Sequence, residues 1–367
     1  MTTNESEVTA PTTLCGPDGK LLNPAARGWS RFPTLTCKLG GSWGRNKRWD
    51  YWAILAGDWV FAVTFADVDY LGIVSVWWAD ISTGRTGGSD NNIPLARRVG
   101  LPDLPGTAPL HWSNPTTSVS ITDDSAGTTI AAHWVEADGR SASLEARVDL
   151  PAGHQSLNVV IPWSAKRFQF TSKHQARPAH GVFKVGDEEH CFGASAERSL
   201  SGDRPASSDR MADHGEADHG EAWGVLDVGR GRWRYSNRWN WAGGAGLALD
   251  TGSVVGLQFG GKWTEGTGFT ENGLIIDGVL NKIGAELEWT YNWDRPLDPW
   301  TVRGADGAVD LVLAPKYDRH SKVNAGVLAM EVHQVFGCWT GTVRSDDGVS
   351  HRVEGIQGFA EEARNRW

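Results

Sequence analysis

"WDYWAILAGDWVFAVTFADVDYLGIVSVWWAD", residues 49–80, holds three apolar runs of strand length, broken at Ala56-Gly57-Asp58 and at Asp67-Val68-Asp69. The runs are rich in β-branched and aromatic residues and the breaks are short polar turn signals, so the stretch reads as consecutive antiparallel strands joined by hairpins. In the third run Val74, Val76, Trp78 and Asp80 occupy alternate positions and therefore share one face. Further runs follow at "TSVSIT" (117–122), "TTIAAHWVEA" (128–137), "ASLEARVDL" (142–150) and "SLNVVIPW" (156–163). Their spacing of about ten residues favours a barrel or sandwich over a β-α-β fold. Only the terminal "GFAEEARNRW" (358–367) reads as a short helix.

A chain of 367 residues exceeds the usual size of one hydrophobic core, which predicts two domains. The formal net charge of -9 argues against a nucleic-acid partner, because neutralising phosphates requires a basic surface. Cys15, Cys37, Cys191 and Cys338 are scattered without C-x-x-C spacing, and "MTTNESEVTAPTT" (1–13) shows neither an apolar core nor early basic residues. A reduced, cytoplasmic setting is the expectation. No apolar run approaches the roughly 20 residues of a membrane-spanning helix, while contact with a membrane surface is left open. Oligomeric state is not legible.

Twenty tryptophans and 45 glycines point to pleated faces carrying large rings and to many tight turns. In "RWRYSNRWNWAGG" (232–244), Trp233, Tyr235, Trp239 and Trp241 fall at alternate positions, with Arg232, Arg234, Arg238 and Asn240 between them. Such a stripe is either core or the wall of a pocket that attracts positive charge. The polar segment 196–222, which repeats ADHGE, interrupts the strand pattern as an insertion or linker. The expected organisation is an N-terminal arm over 1–40, a first β domain over 41–195, the insertion 196–222 and a second β domain over 223–367. Arg48-Trp49-Asp50 and Arg238-Trp239-Asn240, each followed closely by Trp-Ala, are compatible with an internal duplication or with chance.

"LNPAARGWSR" (22–31), "GSWGRNKRWDYW" (41–52), "TENGLIIDGVLNKIG" (270–284), "PKYDRHSK" (315–322) and "GFAEEARNRW" resemble a bacterial and fungal family long labelled as of unknown function. That family is similar to carotenoid 1,2-hydratase (hydroxyneurosporene synthase) and to cofactor-free monoterpene hydratases of the myrcene/linalool type, within the calycin-like group. The resemblance covers nearly the whole chain outside the insertion. It implies an all-β fold of two lipocalin-like antiparallel domains, no cofactor, and addition of water to an isoprenoid alkene. Val228 and Arg234 stand where the family pattern has Trp and Pro, which bears on pocket shape near Tyr235.

Hydration of an alkene needs a proton donor, a surrounding that tolerates the carbocation, and a group that delivers water. Asp80 is a candidate acid at the end of an apolar row, where desolvation would keep its proton on; it also suits the first position of the turn "DISTG". Tyr235 is a candidate for holding the water, or else a tyrosine tip bonded within a core. Asp227 is a candidate second carboxylate, or the partner of Arg230. Trp49, Trp52, Trp78, Trp233, Trp239, Asn240, Trp241, Glu271 and Asn272 are candidate substrate-binding residues, the indoles because their faces attract cations; Glu271 and Asn272 read equally as buried polar groups at a cavity or as turn formers. Asp67 and Asp69 resemble a D-x-D metal motif but read as a hairpin turn, and His214 and His219 in the repeat lack fixed geometry. No metal is expected. "PKYDRHSK" reads as mutually paired charges, with gating of a cavity or contact with anionic headgroups as the alternatives.

Nucleophile-elbow, phosphate-loop, zinc-protease and dinucleotide motifs are absent from the sequence. The expectation is therefore a cofactor-independent hydratase, or hydratase/isomerase, acting on a small hydrophobic substrate, a terpene or other isoprenoid. The alternatives are a non-catalytic carrier of a hydrophobic ligand and a glycan-binding or glycan-cleaving protein.

Overall fold

The computed structural model describes residues 3–104, 106–107, 109–193 and 221–366, so nearly all of the polar insertion, with His214 and His219, lies outside the described residues. The N-terminal arm contributes β1 (Thr12–Thr13), a 3-10 turn at Pro24–Ala26, β2 (Trp29–Ser30) and β3 (Leu35–Thr36). A first sheet then comprises β4 (Asn46–Ala56), β5 (Trp59–Asp67), β6 (Leu71–Asp80), β7 (Arg85–Pro94), β8 (Leu110–Ser113), β9 (Thr117–Asp124), β10 (Gly127–Val135), β11 (Ser141–Asp149), β12 (Leu157–Ser164), β13 (Arg167–Val185), β14 (Glu188–Phe192) and β15 (Ala222–Arg232), joined by β2. The second sheet comprises β16 (Ser236–Leu247), β17 (Val254–Gly261), β18 (Asn272–Ile276), β19 (Val279–Ile283), β20 (Glu288–Thr290), β21 (Trp300–Arg303), β22 (Val309–Ala325), β23 (Leu328–Arg344) and β24 (Ser350–Arg366).

The two sheets share a plan. A four-strand meander, β4–β7 or β16–β19, has its first strand paired with the last strand of the sheet, β15 or β24. This up-and-down antiparallel arrangement makes the protein all-β with two lipocalin-like halves. Because β15 pairs with both β13 and β4, the chain changes sheets at 233–235, about ten residues later than the expected boundary at 223. The terminal segment is also corrected: residues 358–366 belong to strand β24, not to a helix. Glu, Ala and Arg are good helix formers, but intrinsic propensity is a weak determinant, and pairing on both sides with β16 and β23 overrides it.

Alternation along the strands builds three apolar layers. Trp52, Ile54, Phe61, Val63, Phe65, Val74, Val76 and Trp78 fill the interior of the first half. Leu257, Phe259, Trp300, Leu311, Leu313, Val335 and Trp339 fill that of the second. The opposite strand faces meet each other, with Ala53, Leu55, Val60, Ala62 and Val225 packed against Trp241, Phe336 and Phe359. Strands β4 and β5 are therefore buried on both sides, which is why 52–55 and 60–63 are continuously apolar rather than alternating. Among the described residues no helix is long and apolar enough to cross a membrane.

Candidate active site

Register brings the site together. In the first sheet Lys173, Asp227, Tyr51 and Thr64 lie side by side across β13, β15, β4 and β5. In the second, Trp241, Glu361, Gln334 and Arg319 form the corresponding row across β16, β24, β23 and β22. Where the sheets face each other these rows enclose a cavity of about 310 Å³. Trp49, Trp233, Trp239, Trp241 and Trp263 line it, with Tyr51, Lys173, Asp227, Glu271, Arg319, Gln334 and Glu361 among its polar groups. Trp49 and Tyr51 on β4 hold the places in their sheet that Trp239 and Trp241 hold on β16, so the repeated Arg-Trp motif supplies both walls.

Two glycines make room. A Cβ on Gly229, the cross-strand neighbour of Trp49, would collide with the Trp49 indole, and one on Gly260 would collide with the Glu271 carboxylate. Trp233 sits at the hub of the aromatic wall, with ring centroids 5.3 Å from Trp239, 5.1 Å from Trp263 and 6.1 Å from Trp49. Its indole N–H donates to Gln169 Oε1 at 2.8 Å.

The charged groups are nearly all withdrawn from solvent. Lys173 Nζ lies 2.8 Å from Asp227 Oδ2 and 3.4 Å from Glu271 Oε1, and 4.1 Å from the centre of the Trp241 ring. Burial opposes the Lys173 charge, but Asp227 and Glu271 outweigh it and hold the ammonium above its ordinary pKa. Burial raises the Glu271 carboxyl, with Lys173 acting against that rise. Trp263 Nε1 donates to its other oxygen at 3.2 Å. Glu361 receives a hydrogen bond from Trp239 Nε1 at 2.6 Å and has no ion-pair partner within 4 Å among the described residues. Burial pushes Glu361 up to about 7, against the lowering effects of the Trp239 hydrogen bond and the Lys173 charge. Burial likewise pushes Tyr51 up to about 12, so its phenol stays neutral. The cavity thus holds an acid that retains a proton near neutrality beside aromatic faces.

The sequence candidates divide. Asp227, Glu271, Trp49, Trp233, Trp239 and Trp241 line the cavity. Asp80 does not, and its assignment as proton donor is corrected: its carboxylate closes the β6–β7 turn, accepting from Ser82 N at 3.0 Å, Ser82 Oγ at 2.7 Å and Thr83 Oγ1 at 2.6 Å. Burial pushes its pKa up, but these hydrogen bonds together hold it below the ordinary value, the opposite of what a donor at neutral pH requires. Tyr235 is corrected as well. It falls in the connection between β15 and β16, is 45% exposed, and donates to the Val327 carbonyl. Trp52 and Trp78 face the interior of the first half, where Trp78 Nε1 donates to Glu136 at 2.6 Å. Asn240 bonds Tyr291 and the Glu361 carbonyl, and Asn272 bonds Gly260 N and the Ala285 carbonyl; both are buried away from the cavity. Lys173, Glu361, Arg319, Gln334, Tyr51 and Trp263 are among the lining residues that the sequence reading did not assign. Reading 358–366 as a strand would have placed Phe359, Glu361 and Ala363 on one face and exposed Glu361 as a candidate.

Fold and site define a class: an all-β protein of two lipocalin-like sheets with an acid-bearing aromatic cavity between them. The chain belongs to the family described as a domain of unknown function, DUF2804, whose model matches residues 5–367. No curated protein matches it in sequence. Among solved structures it is similar to kievitone hydratase from Nectria haematococca, with 10% identity, a TM-score of 0.43, and 88% of this chain and 89% of that chain covered. It is also similar to CghA with Sch210972, with 11% identity, a TM-score of 0.39, and 90% and 89% covered.

Proposed function

We propose that the protein is a cofactor-independent hydratase, or hydratase/isomerase, acting on a carbon–carbon double bond of a terpene or related isoprenoid bound between the two sheets. The observation that carries this reading is the buried, proton-retaining Glu361 facing a wall of indoles. In the proposed sequence the Glu361 O–H delivers its proton to one alkene carbon. The π pair becomes the new C–H bond, and the neighbouring carbon is left positive. Indole faces attract such a centre by roughly 0.5–2 kcal/mol each when desolvated, and each 1.36 kcal/mol is tenfold in rate. Asp227, fixed by Lys173, orients a water whose oxygen lone pair forms the C–O bond. The proton that water then releases restores Glu361 to its acid form, so no other reactant is consumed. Return of a proton from a neighbouring carbon to the Glu361 carboxylate, its C–H pair becoming the new π bond, gives the isomerised alkene instead.

A passive carrier of hydrophobic ligands needs the tryptophans but no ionisable group among them. Buried ionisable side chains on the lining, among them Lys173, Asp227, Glu271 and Glu361, favour the catalytic reading, because a desolvated charge is costly where it has no task. Incubating the protein with a panel of acyclic terpenes and carotenoid precursors in heavy-oxygen water, with mass spectrometry of the products, tests the proposal. Labelled alcohols support a hydratase, unlabelled rearranged alkenes support an isomerase, and ligand retention without turnover supports the carrier.

A further inference from the structure

Strands β22 and β23 carry chemistry on both faces. Arg319, Ser321, Met330, Val332 and Gln334 face the cavity, while the intervening His320, Glu331 and His333 fall on the opposite face. His320 and His333 are direct cross-strand partners with parallel rings 4.2 Å apart, and Glu331 opposes Lys322 one step along the same face. One ligand atom from each of His320, Glu331 and His333 lies within 4.8 Å of those from the other two. His320 Nε2 and Glu331 Oε1 are 3.2 Å apart, close to the roughly 3.3 Å separation of two ligands around a tetrahedral ion with bonds of about 2.0–2.1 Å.

We propose that His320, Glu331 and His333 bind one divalent transition-metal ion of the zinc type, with Asp318 orienting His333. Two imidazoles and a carboxylate suit zinc or cobalt better than calcium or magnesium, and three protein ligands leave a fourth position for water. Asp318 Oδ2 lies 2.8 Å from His333 Nδ1, the carboxylate–histidine arrangement that fixes ring orientation and leaves Nε2 for an ion. Trp293 packs edge-on against His333, with ring centroids 4.5 Å apart. His320 is exposed, and its ring, stacked parallel on His333, must turn about its side-chain bonds to aim a nitrogen at the ion. Lys322 Nζ bonds Glu331 at 3.0 Å, but its side chain is 60% exposed and can yield to an ion by turning into water. An ion here would tie β22 to β23 behind Arg319 and Gln334, and so fix one wall of the cavity. The two histidines are 13 positions apart in sequence, and only the hairpin register makes them neighbours, which hides the set from motif reading.

Titration of the full-length, untagged protein with Co(II), followed by visible d–d absorption and competed with Zn(II), tests the site, with thermal unfolding in parallel. One ion per chain is expected, with tetrahedral-type bands and an upward shift in Tm. H320A/H333A should weaken binding at least 100-fold, and D318N by about 10–100-fold. E331Q, which keeps shape and volume, supplies the ligand test should the double variant fail to fold. Unchanged affinity in H320A/H333A or in E331Q, or binding lost only on H214A/H219A in the ADHGE repeat, would overturn the assignment.

Discussion

The indole nitrogen of Trp239 donates to Glu361 Oε1 at 2.6 Å, binding the aromatic wall of β16 to the carboxyl on its neighbour β24. That hydrogen bond favours the ionised carboxylate and holds the Glu361 pKa below where burial alone would put it. Trp239→Phe should therefore raise the pKa and move the alkaline limb of the pH–rate profile upward by about one unit, since a hydrogen bond to a charged group contributes roughly 1.5–3 kcal/mol. A limb that stays in place or moves down would separate Trp239 from the acid.

Stability should carry the same signature. Glu361 has a folded-state pKa near 7 against about 4.5 unfolded, so its contribution is complete below pH 4.5 and is lost as pH rises through 7. Glu361→Gln should flatten that dependence and be more stable than the parent at pH 8, by up to roughly 3 kcal/mol. Urea unfolding of both proteins between pH 5 and 8 measures the difference, and parallel curves would mean that Glu361 is not perturbed by folding.

Lys173 pairs with two carboxyl groups that the fold has buried. Lys173→Met leaves Asp227 and Glu271 facing each other without it, and should cost roughly 3–5 kcal/mol. Adding Asp227→Asn and Glu271→Gln should recover much of that loss in chemical denaturation, because the uncompensated charge, not the missing contact, is the larger part of the cost.

Gly229→Ala would place a methyl group where the Trp49 indole lies. The ring must turn into the cavity, so substrate KM should rise several-fold while stability falls by roughly 1–3 kcal/mol, the usual cost of overpacking. Binding titration with a turned-over substrate, alongside Tm, checks both effects.

Asp80 supplies the contrast. Asp80→Ala removes the acceptor that closes the β6–β7 turn and should cost roughly 1–2 kcal/mol, with turnover within twofold of the parent. A collapse of activity in a folded Asp80→Ala protein would return the acid to that position.

The architecture was largely legible because alternation and turn signals are local: the runs from Trp49 to Asp80 are β4, β5 and β6 of the structure. Face-sharing along β6 was also legible, since Val74, Val76 and Trp78 do point the same way. Which side of the sheet that face addresses was not, because period-two patterning does not distinguish the interior of a sheet from its packing against a second one. Asp80 and Trp78 were misplaced for that reason. The stripe in 232–244 contained a second trap: Trp233 and Trp239 line the same cavity, yet the strand breaks between them and leaves Tyr235 in the connection. Lys173, Glu361 and Arg319 come from three different strands, and only register within each sheet and the packing of the two sheets face to face unite them.

The central claim is that Glu361 gives its proton to an unsaturated hydrocarbon held between the sheets. The most direct measurement compares the parent and Glu361→Gln on the same terpene in heavy-oxygen water across pH 5–9, counting labelled alcohol per enzyme. The account predicts label from the parent that falls away as pH rises through 7, and none above background from a folded Glu361→Gln. Equal labelling by the two proteins, or a parent rate that climbs through that range, would contradict it.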